Sequence, residues 1–340
     1  MRDLLVAGGG PVGLATALHA RRAGLDVAVV EPRSGALDKA CGEGLMPGAL
    51  AALADLGVDP AGWPLTGIRY LDAGHVAEAP FRRGPGRGVR RTTLHTALVA
   101  AAAEAGIETA HRAVRAVEDR GDHLLVDGEP TRYLVAADGL HSPVRRLLGL
   151  DRPVPGRRRY GQRGHLATAP WTSMVEVHWS AVGEAYVTPV AADLVGVAVL
   201  SDVRRPVADL LPHFGRLADR LAGADLTAVR GAGPLRQRAR RRVAGRVLLV
   251  GDAGGYVDAL TGEGLALGFA QARAAVAAIA AGRPGGYEPV ARRLGRRHEL
   301  LTHTLLRATR RPVVRRRLVP LAAAAPAIFG AAVDQLARPA

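Results

Sequence analysis

The sequence predicts an α/β chain in which a Rossmann-like nucleotide-binding domain is interrupted by an inserted antiparallel β-sheet. Three observations carry that expectation. A buried strand, Leu4-Leu5-Val6-Ala7, runs into the turn Gly8-Gly9-Gly10-Pro11-Val12-Gly13 and then a helical stretch, which is the context a dinucleotide fingerprint requires. From about 153 to 235 the pattern changes to longer alternating strands, with Val175, Val177 and Trp179 on one face and Glu176, His178 and Ser180 on the other. A buried strand then returns at Val247-Leu248-Leu249-Val250, followed by Gly251-Asp252 and a helix over about 262–281.

The elements follow in order. Leu14 to Ala23 has helical composition and Gly24 caps it; Val27-Ala28-Val29-Val30 is a second buried strand ending at Glu31. Helical stretches run from about Pro47 to Leu56, stopping at Gly57, and from Thr92 to Ala105, stopping at Gly106. Residues 107–137 read as short strands around a Gly121-Asp122 turn and finish in the buried strand Tyr133 to Ala137. The last fifty residues look helical and rich in Ala and Arg, and no internal repeat is visible.

Composition excludes several function classes. At 340 residues and 48% apolar content the chain is long enough for about two domains with sizeable cores, so intrinsic disorder is set aside. Aromatics at 4% argue against a base-stacking single-strand binder. One cysteine excludes a disulfide framework and any multi-cysteine metal or iron–sulfur site, and no metal site is expected. The N-terminal apolar run is too short for a signal sequence and no stretch reaches transmembrane length, so the expectation is a cytoplasmic protein. The net charge is +15, but Lys39 is the only lysine, so 45 of the 46 basic residues are arginines. That bias, with abundant Ala and Gly, is what a GC-rich genome would produce. The arginines form short clusters (157–159, 238–242, 315–317) without a nucleic-acid motif, so nucleic acid is not expected as a partner. A basic surface still suits anionic ligands such as phosphates, or an acidic carrier protein.

The chemistry begins at Gly8-x-Gly10-x-x-Gly13. Glycines there allow a tight turn and close approach of a pyrophosphate to backbone N–H groups at a helix N-terminus. Glu31 ends the next strand, where an acid can accept from a ribose. Two later segments separate FAD from NAD. Val135-Ala136-Ala137-Asp138-Gly139-Leu140-His141-Ser142-Pro143-Val144-Arg145 resembles the Asp-Gly motif of the flavoprotein aromatic hydroxylases. Gly245 to Ala253, with Gly251-Asp252, resembles their Gly-Asp motif, in which the aspartate holds the ribityl chain of FAD. Residues 39–57 and Arg91-x-x-Leu94 fall where that family has its second helix and a cofactor-facing arginine, and Lys39 stands where these enzymes often carry an arginine for the FAD pyrophosphate. The resemblance covers residues 3 to about 282. It implies the aromatic-hydroxylase fold: an FAD-binding domain from 1–152 and 241–285, a β-sheet substrate domain at 153–240, and C-terminal helices at 286–340.

Within this superfamily, that of the class A flavoprotein monooxygenases, two segments are similar to the geranylgeranyl reductase branch. They are Cys41-Gly42-Glu43-Gly44, beside the flavin in that branch, and Asp258-Ala259-Leu260-Thr261-Gly262-Glu263-Gly264, where Ala259 replaces a proline. Backbone N–H groups around Gly262 and Gly264 could stabilise negative charge on reduced flavin. A third segment, Glu184-Ala185-Tyr186-Val187-Thr188-Pro189, keeps the branch's proline but lacks its tryptophan and phenylalanine, and it also differs from the Trp-x-Trp-x-Ile-Pro of halogenases.

The resemblance implies first an NAD(P)H-using monooxygenase of secondary metabolism. O2 would add to reduced flavin, and the hydroperoxide would hydroxylate a hydrophobic, phenolic or polyketide-like molecule. NAD(P)H would act as a transient reductant, since no second fingerprint is present. A reductase saturating prenyl double bonds is the alternative, and a flavin redox sensor without turnover is the third reading. The cofactor-binding candidates are Gly8, Gly10, Gly13, Glu31, Lys39, Cys41, Arg91, Asp138, Gly139, Gly251, Asp252, Gly262 and Gly264. No catalytic side chain stands out. Cys41 is either cofactor-proximal or a small buried apolar residue. Glu43 either faces substrate or is a solvated loop acid. His178, His165 and Tyr186 either line the substrate cavity or are structural. The apolar segment Leu318 to Val333 either lies on an anionic membrane surface or packs over the FAD domain.

Overall fold

Alternation along four short strands builds the first layer. In the computed structural model, which describes residues 1–337, Leu4 and Val6 of strand Arg2–Ala7 point to one side and Leu5 and Ala7 to the other. Its neighbours repeat the division: Val27 and Val29 against Ala28 and Val30, Tyr133 and Val135 against Leu134 and Ala136, Leu248 and Val250 against Val247 and Leu249. Such strands are apolar throughout because both sheet faces are covered. Helices Pro11–Arg22, Arg91–Glu104 and Gly264–Ala280 cover the first face. The antiparallel strands Val117–Asp119 and Leu124–Val126 contribute to the cover of the second.

The strand order is Val243–Ala244, Val247–Leu249, Glu129–Ala136, Arg2–Ala7, Val27–Val30, Glu108–Ala110, and the last five run parallel. The strand that returns late in the chain therefore completes the sheet begun by the first residues. Four parallel strands end side by side, and the segments beginning at Gly8, Glu31, Ala137 and Val250 emerge together from their carboxyl ends, where open α/β sheets bind ligands.

The second sheet has seven strands, in the order Thr227–Ala232, Tyr160–Ala167, Leu194–Ser201, Gly183–Ala191, Met174–Ser180, Gly67–Leu71, Val76–Pro80. The region from 153 supplies five of them. The other two come from earlier in the chain, because Gly67–Leu71 pairs in parallel with Met174–Ser180. Along Gly183–Ala191 the faces separate cleanly. Ala185 and Val187 pack outward, against a cluster with Phe214 and Leu217, whereas Glu184, Tyr186 and Thr188 point toward the first domain.

The C-terminal segment packs on this second sheet, not over the nucleotide-binding helices. Val319, Phe329 and Val333 of helices Pro312–Ala324 and Pro326–Leu336 meet Ile68, Ala77, Ala79, Val175 and Trp179. Tyr70 packs tilted against Phe329 and edge-to-face against Trp179, 4.7 and 5.5 Å between ring centres. The helical face of the first domain is already occupied by Gly264–Ala280 and Tyr287–Thr309, while the edge strand Val76–Pro80 offers Ala77 and Ala79. Among the described residues no single helix is long and apolar enough to cross a membrane; the two terminal helices reach that length only as a pair bent by 103° at Pro326.

Candidate functional site

The glycine turn is shaped by contacts that exclude a side chain. Gly8 has φ +107°, and a Cβ on Gly13 would stand 1.8 Å from the Gly8 carbonyl oxygen. Gly10 differs: a Cβ there would meet nothing within 4 Å, and as N-cap it leaves the first N–H groups of helix Pro11–Arg22 without a side-chain partner. That helix end opens onto the cleft above the strand ends.

Two side chains hold the turn. Glu31 is buried; its carboxylate accepts from Gly9 N (2.9 Å), Arg33 N (3.1 Å), Arg33 Nε (2.7 Å) and Arg33 Nη2 (3.0 Å). Burial pushes its carboxyl up, but the hydrogen bonds from Arg33 and Gly9 outweigh that and hold it below the usual range. Its acceptor positions are therefore filled, and a ribose hydroxyl reaches Glu31 only as Arg33, which is 45% exposed, swings away. His95 was not singled out by sequence. Its Nε2–H donates to the Gly9 carbonyl (2.9 Å) and its Nδ1 accepts from Leu37 N (3.2 Å), so the ring is the neutral Nε2–H tautomer. Burial holds its pKa below the ordinary value, and Arg91 adds to that. The one available signal was its position one helical turn after Arg91.

The Asp-Gly and Gly-Asp segments are tied by Arg145, 1% exposed. Its Nε bonds Asp151 (2.5 Å), Nη1 donates to the carbonyl of Ala253 (3.0 Å) and Nη2 to that of Leu140 (3.1 Å). Asp138 accepts from Val144 N through Oδ2 (3.0 Å), while its Oδ1 is buried without a partner; burial raises its pKa. Gly139 has φ +86°, and a Cβ there would lie 3.2 Å from Lys39 Nζ. Lys39 thus reaches over the Asp-Gly turn, its ammonium held below its usual range first by burial and then by Arg33 and Arg91. Gly251 N donates to Gln271 Oε1 (2.8 Å). The Asp252 carboxyl is raised by burial, with Lys39 and Arg91 opposing. Arg91 Nε is buried without a partner.

An uncapped helix end, two cations, a partnerless guanidinium nitrogen and a partnerless carboxylate oxygen thus share one cleft. This donor set is complementary to a pyrophosphate flanked by sugar and polyol hydroxyls, and the residues present fit FAD.

Two further segments face each other across the cleft. In the first, Cys41 is half-buried and its Sγ accepts from Glu43 N (3.4 Å). Glu43, at φ +58°, is 3% exposed and is not a solvated loop acid. It accepts from Arg91 N (2.9 Å) and from His165 Nε2 (2.7 Å), and Arg163 Nη1 donates to His165 Nδ1 (3.3 Å). The structure thus joins Glu43 and His165, which sequence spacing had not connected. In the second, Thr261 Oγ1 lies 3.3 Å from His298 Nδ1, which donates to Glu263 (3.0 Å), and a Cβ on Gly262 would lie 3.3 Å from Met46 Cε. Gly264, on the cleft side of the same loop, opens helix Gly264–Ala280. The second sheet pins both segments: Thr188 Oγ1 donates to Gly42 O (2.8 Å) and Tyr186 Oη to Leu260 O (3.0 Å). His178 is elsewhere. It pairs with Ala185 on the outward face and bonds Glu176 (3.1 Å), so it does not join Tyr186 at the cleft.

Residues 1–205 match the family described as FAD binding domain. A menaquinone reductase of Mycolicibacterium smegmatis is 31% identical over 318 residues, covering 82% of this chain and 76% of that protein. A digeranylgeranylglycerophospholipid reductase 1 of Methanopyrus kandleri is 29% identical over 299 residues, covering 77% and 76%. Among solved structures, p-nitrophenol 4-monooxygenase PnpA from Pseudomonas putida DLL-E4 aligns with a TM-score of 0.81 at 19% identity, over 96% of this chain and 94% of that one, a likeness of fold.

Proposed function

The chain belongs to the FAD binding domain family and is an FAD-dependent oxidoreductase; from that premise we propose that it reduces double bonds of a hydrophobic, isoprenoid-bearing small molecule, with NAD(P)H as the transient electron source. Bound FAD supplies the two-electron transfer between reductant and substrate. The chain's own residues bind and orient. Gly8, Gly10, Gly13 and the helix end take the pyrophosphate, Lys39 and Arg91 offset its charge, and Glu31 takes the ribose. Asp138, Gly139, Gly251 and Asp252 take the remaining hydroxyls. Gly262, Gly264 and Cys41 would hold the flavin.

One observation carries the choice of reductase. The Cys41–Gly44 and Asp258–Gly264 segments, which resemble the prenyl reductase branch, are pinned face to face by Thr188 and Tyr186. The relatives named as reductases of menaquinone and of a digeranylgeranyl lipid support the same reading. The monooxygenase remains the second reading, favoured by the buried cluster in which Arg159 bonds Glu184 (2.5 Å) and pairs with Asp258 (3.0 Å) beside Tyr186, a polar end suited to a phenolic hydroxyl.

The test is to reduce the flavin without oxygen and mix it with aerated buffer. A flavin that stays reduced for minutes, and a product gaining two hydrogens, is the result expected. Rapid reoxidation with a product gaining one oxygen would overturn the reductase in favour of the monooxygenase.

A further inference from the structure

The cofactor cleft leaves the arginines of 236–242 unused. Strand Gln237–Arg238, its partner Gly255–Tyr256 and helix Tyr287–Thr309 enclose a cavity of about 590 Å³. Arg236, Arg238 and Arg307 lie near one another in its wall, and Asp252 and Gly264 of the cofactor cleft also line it. Eight arginines and only three carboxylates line it. Two of those carboxylates are already engaged. Glu288 accepts from Arg242 N (2.6 Å) and Arg292 Nε (2.9 Å), and Glu299 from Arg242 Nη2 (2.9 Å). Among the described residues no carboxylate lies within ion-pair distance of Arg236, Arg238 or Arg307.

An arginine cluster on a convex surface needs no explanation, because water screens it. This one lines a concavity, in which Arg236, Arg238 and Arg242 are half-buried and Arg307 stands exposed at the rim. Burial, with Arg238, Arg310 and Arg307 behind it, holds the Arg236 guanidinium below its ordinary range, and burial with Arg236 does the same to the imidazole of His303. Arg242 Nε is buried without a partner. Crowded cations under reduced screening are stabilised most by an anion with several oxygens, and the guanidinium fork matches phosphate.

We propose that this cavity binds an organic phosphate, its phosphate group held by Arg236, Arg238 and Arg307 and its remaining part directed toward Asp252 and Gly264. Two sources share that chemistry: a nicotinamide reductant carrying an extra ribose phosphate, or a substrate ending in a diphosphate. The direction toward the flavin rests on the function proposed above, whereas the anion site does not.

The experiment uses the FAD-loaded full chain and inorganic pyrophosphate as probe, by calorimetric titration at fixed salt. Removing Arg236 and Arg307 together (Arg236→Gln, Arg307→Gln) weakens pyrophosphate about a hundredfold, since each charge-assisted hydrogen bond is worth roughly tenfold, and the flavin spectrum is retained. Removing two exposed charges elsewhere (Arg146→Gln, Arg216→Gln) changes it less than about twofold. Equal weakening in both variants, or no weakening in the first, would overturn the site. Two arms then separate the sources. If the cavity variant loses the preference for NADPH over NADH in anaerobic flavin reduction, the reductant is the occupant. If it loses tighter binding of a prenyl diphosphate over the prenyl alcohol, the substrate is. Arginine-dependent pyrophosphate binding without flavin reduction by either nicotinamide would leave the site standing and sink the reductant half of the proposed function.

Discussion

Replacing His95 by phenylalanine tests whether the glycine turn is held from outside its own backbone. His95 is 5% exposed and joins Gly9 O (2.9 Å) to Leu37 N (3.2 Å). Phenylalanine keeps most of the ring's volume but leaves one carbonyl and one N–H buried without partners. Each costs roughly 1–3 kcal/mol, so the expected loss is about 2–6 kcal/mol. If about 3 kcal/mol of this falls on the turn proposed to receive the pyrophosphate, the dissociation constant of FAD rises about a hundredfold. The assay is titration of the apoprotein with FAD, followed by flavin fluorescence, at pH 8 and at pH 5.5. The pH arm has a definite sign. Burial lowers the folded-state pKa below the ordinary value of 6.5. The unfolded chain therefore binds the proton first, and stability present above about pH 6.5 is lost as pH falls through the shifted value. Protonation would also set an N–H of His95 against Leu37 N–H. Wild-type protein should lose FAD affinity on acidification more steeply than His95→Phe. An affinity within twofold of wild type at pH 8, or equal steepness in both proteins, would refute the reasoning.

Gly13→Ala places a Cβ 1.8 Å from the Gly8 carbonyl oxygen, whereas a Cβ at Gly10 meets nothing within 4 Å. Gly13→Ala should therefore give protein without flavin or without a fold, and Gly10→Ala a folded protein with weaker FAD; circular dichroism and the visible spectrum distinguish them, and a fully yellow Gly13→Ala would contradict the geometry. Asp252→Ala should purify colourless, because its buried carboxyl, whose charge Lys39 and Arg91 favour, is the group proposed for the ribityl chain. Cys41→Ala should stay yellow, since the only bond shown to its sulfur is the long one from Glu43 N, and loss of FAD there would give the thiol a structural role.

The parts of the fold that could be read in advance are those decided within a few residues. Four-residue runs such as Val27-Ala28-Val29-Val30 are apolar at every position, which makes sense only in a strand covered on both faces. Helix ends coincide with Gly24, Gly57 and Gly106, all at positive φ, where a left-handed residue stops the helix. Strands Gly67–Leu71 and Val76–Pro80 carry no such local mark. Ala77 and Ala79 of the second are too small to mark a strand, and it is held by antiparallel pairing with Gly67–Leu71, which is itself fixed by parallel pairing with Met174–Ser180, where Arg69 lies opposite Glu176. No local pattern encodes a partner a hundred residues away.

The candidate site divides along the same physical line. Gly8, Gly13, Gly139 and Gly251 announce themselves because backbone conformation or a carbonyl within van der Waals reach forbids a side chain, and Glu31, Asp138 and Asp252 are legible because they follow strands directly. The contacts that hold those backbones come from other elements: His95 on Gly9, Arg145 on Ala253, His165 on Glu43. Their residue types are ordinary and their spacing carries no period, so only the assembled fold reveals them. Substrate choice lies further still from local pattern. Glu184, Tyr186 and Thr188 are alternate residues of one strand, and each meets a different segment: Arg159, Leu260 and Gly42. Exchanging them would alter the contacts to Arg159, Leu260 and Gly42 while leaving every glycine and aspartate of the strand-end motifs in place. The residues of the strand-end motifs and those of the second sheet's inner face are thus separate sets, so the proposed choice between reduction and oxygen insertion is to be tested by exchanging Glu184, Tyr186 and Thr188 with the strand-end motifs kept.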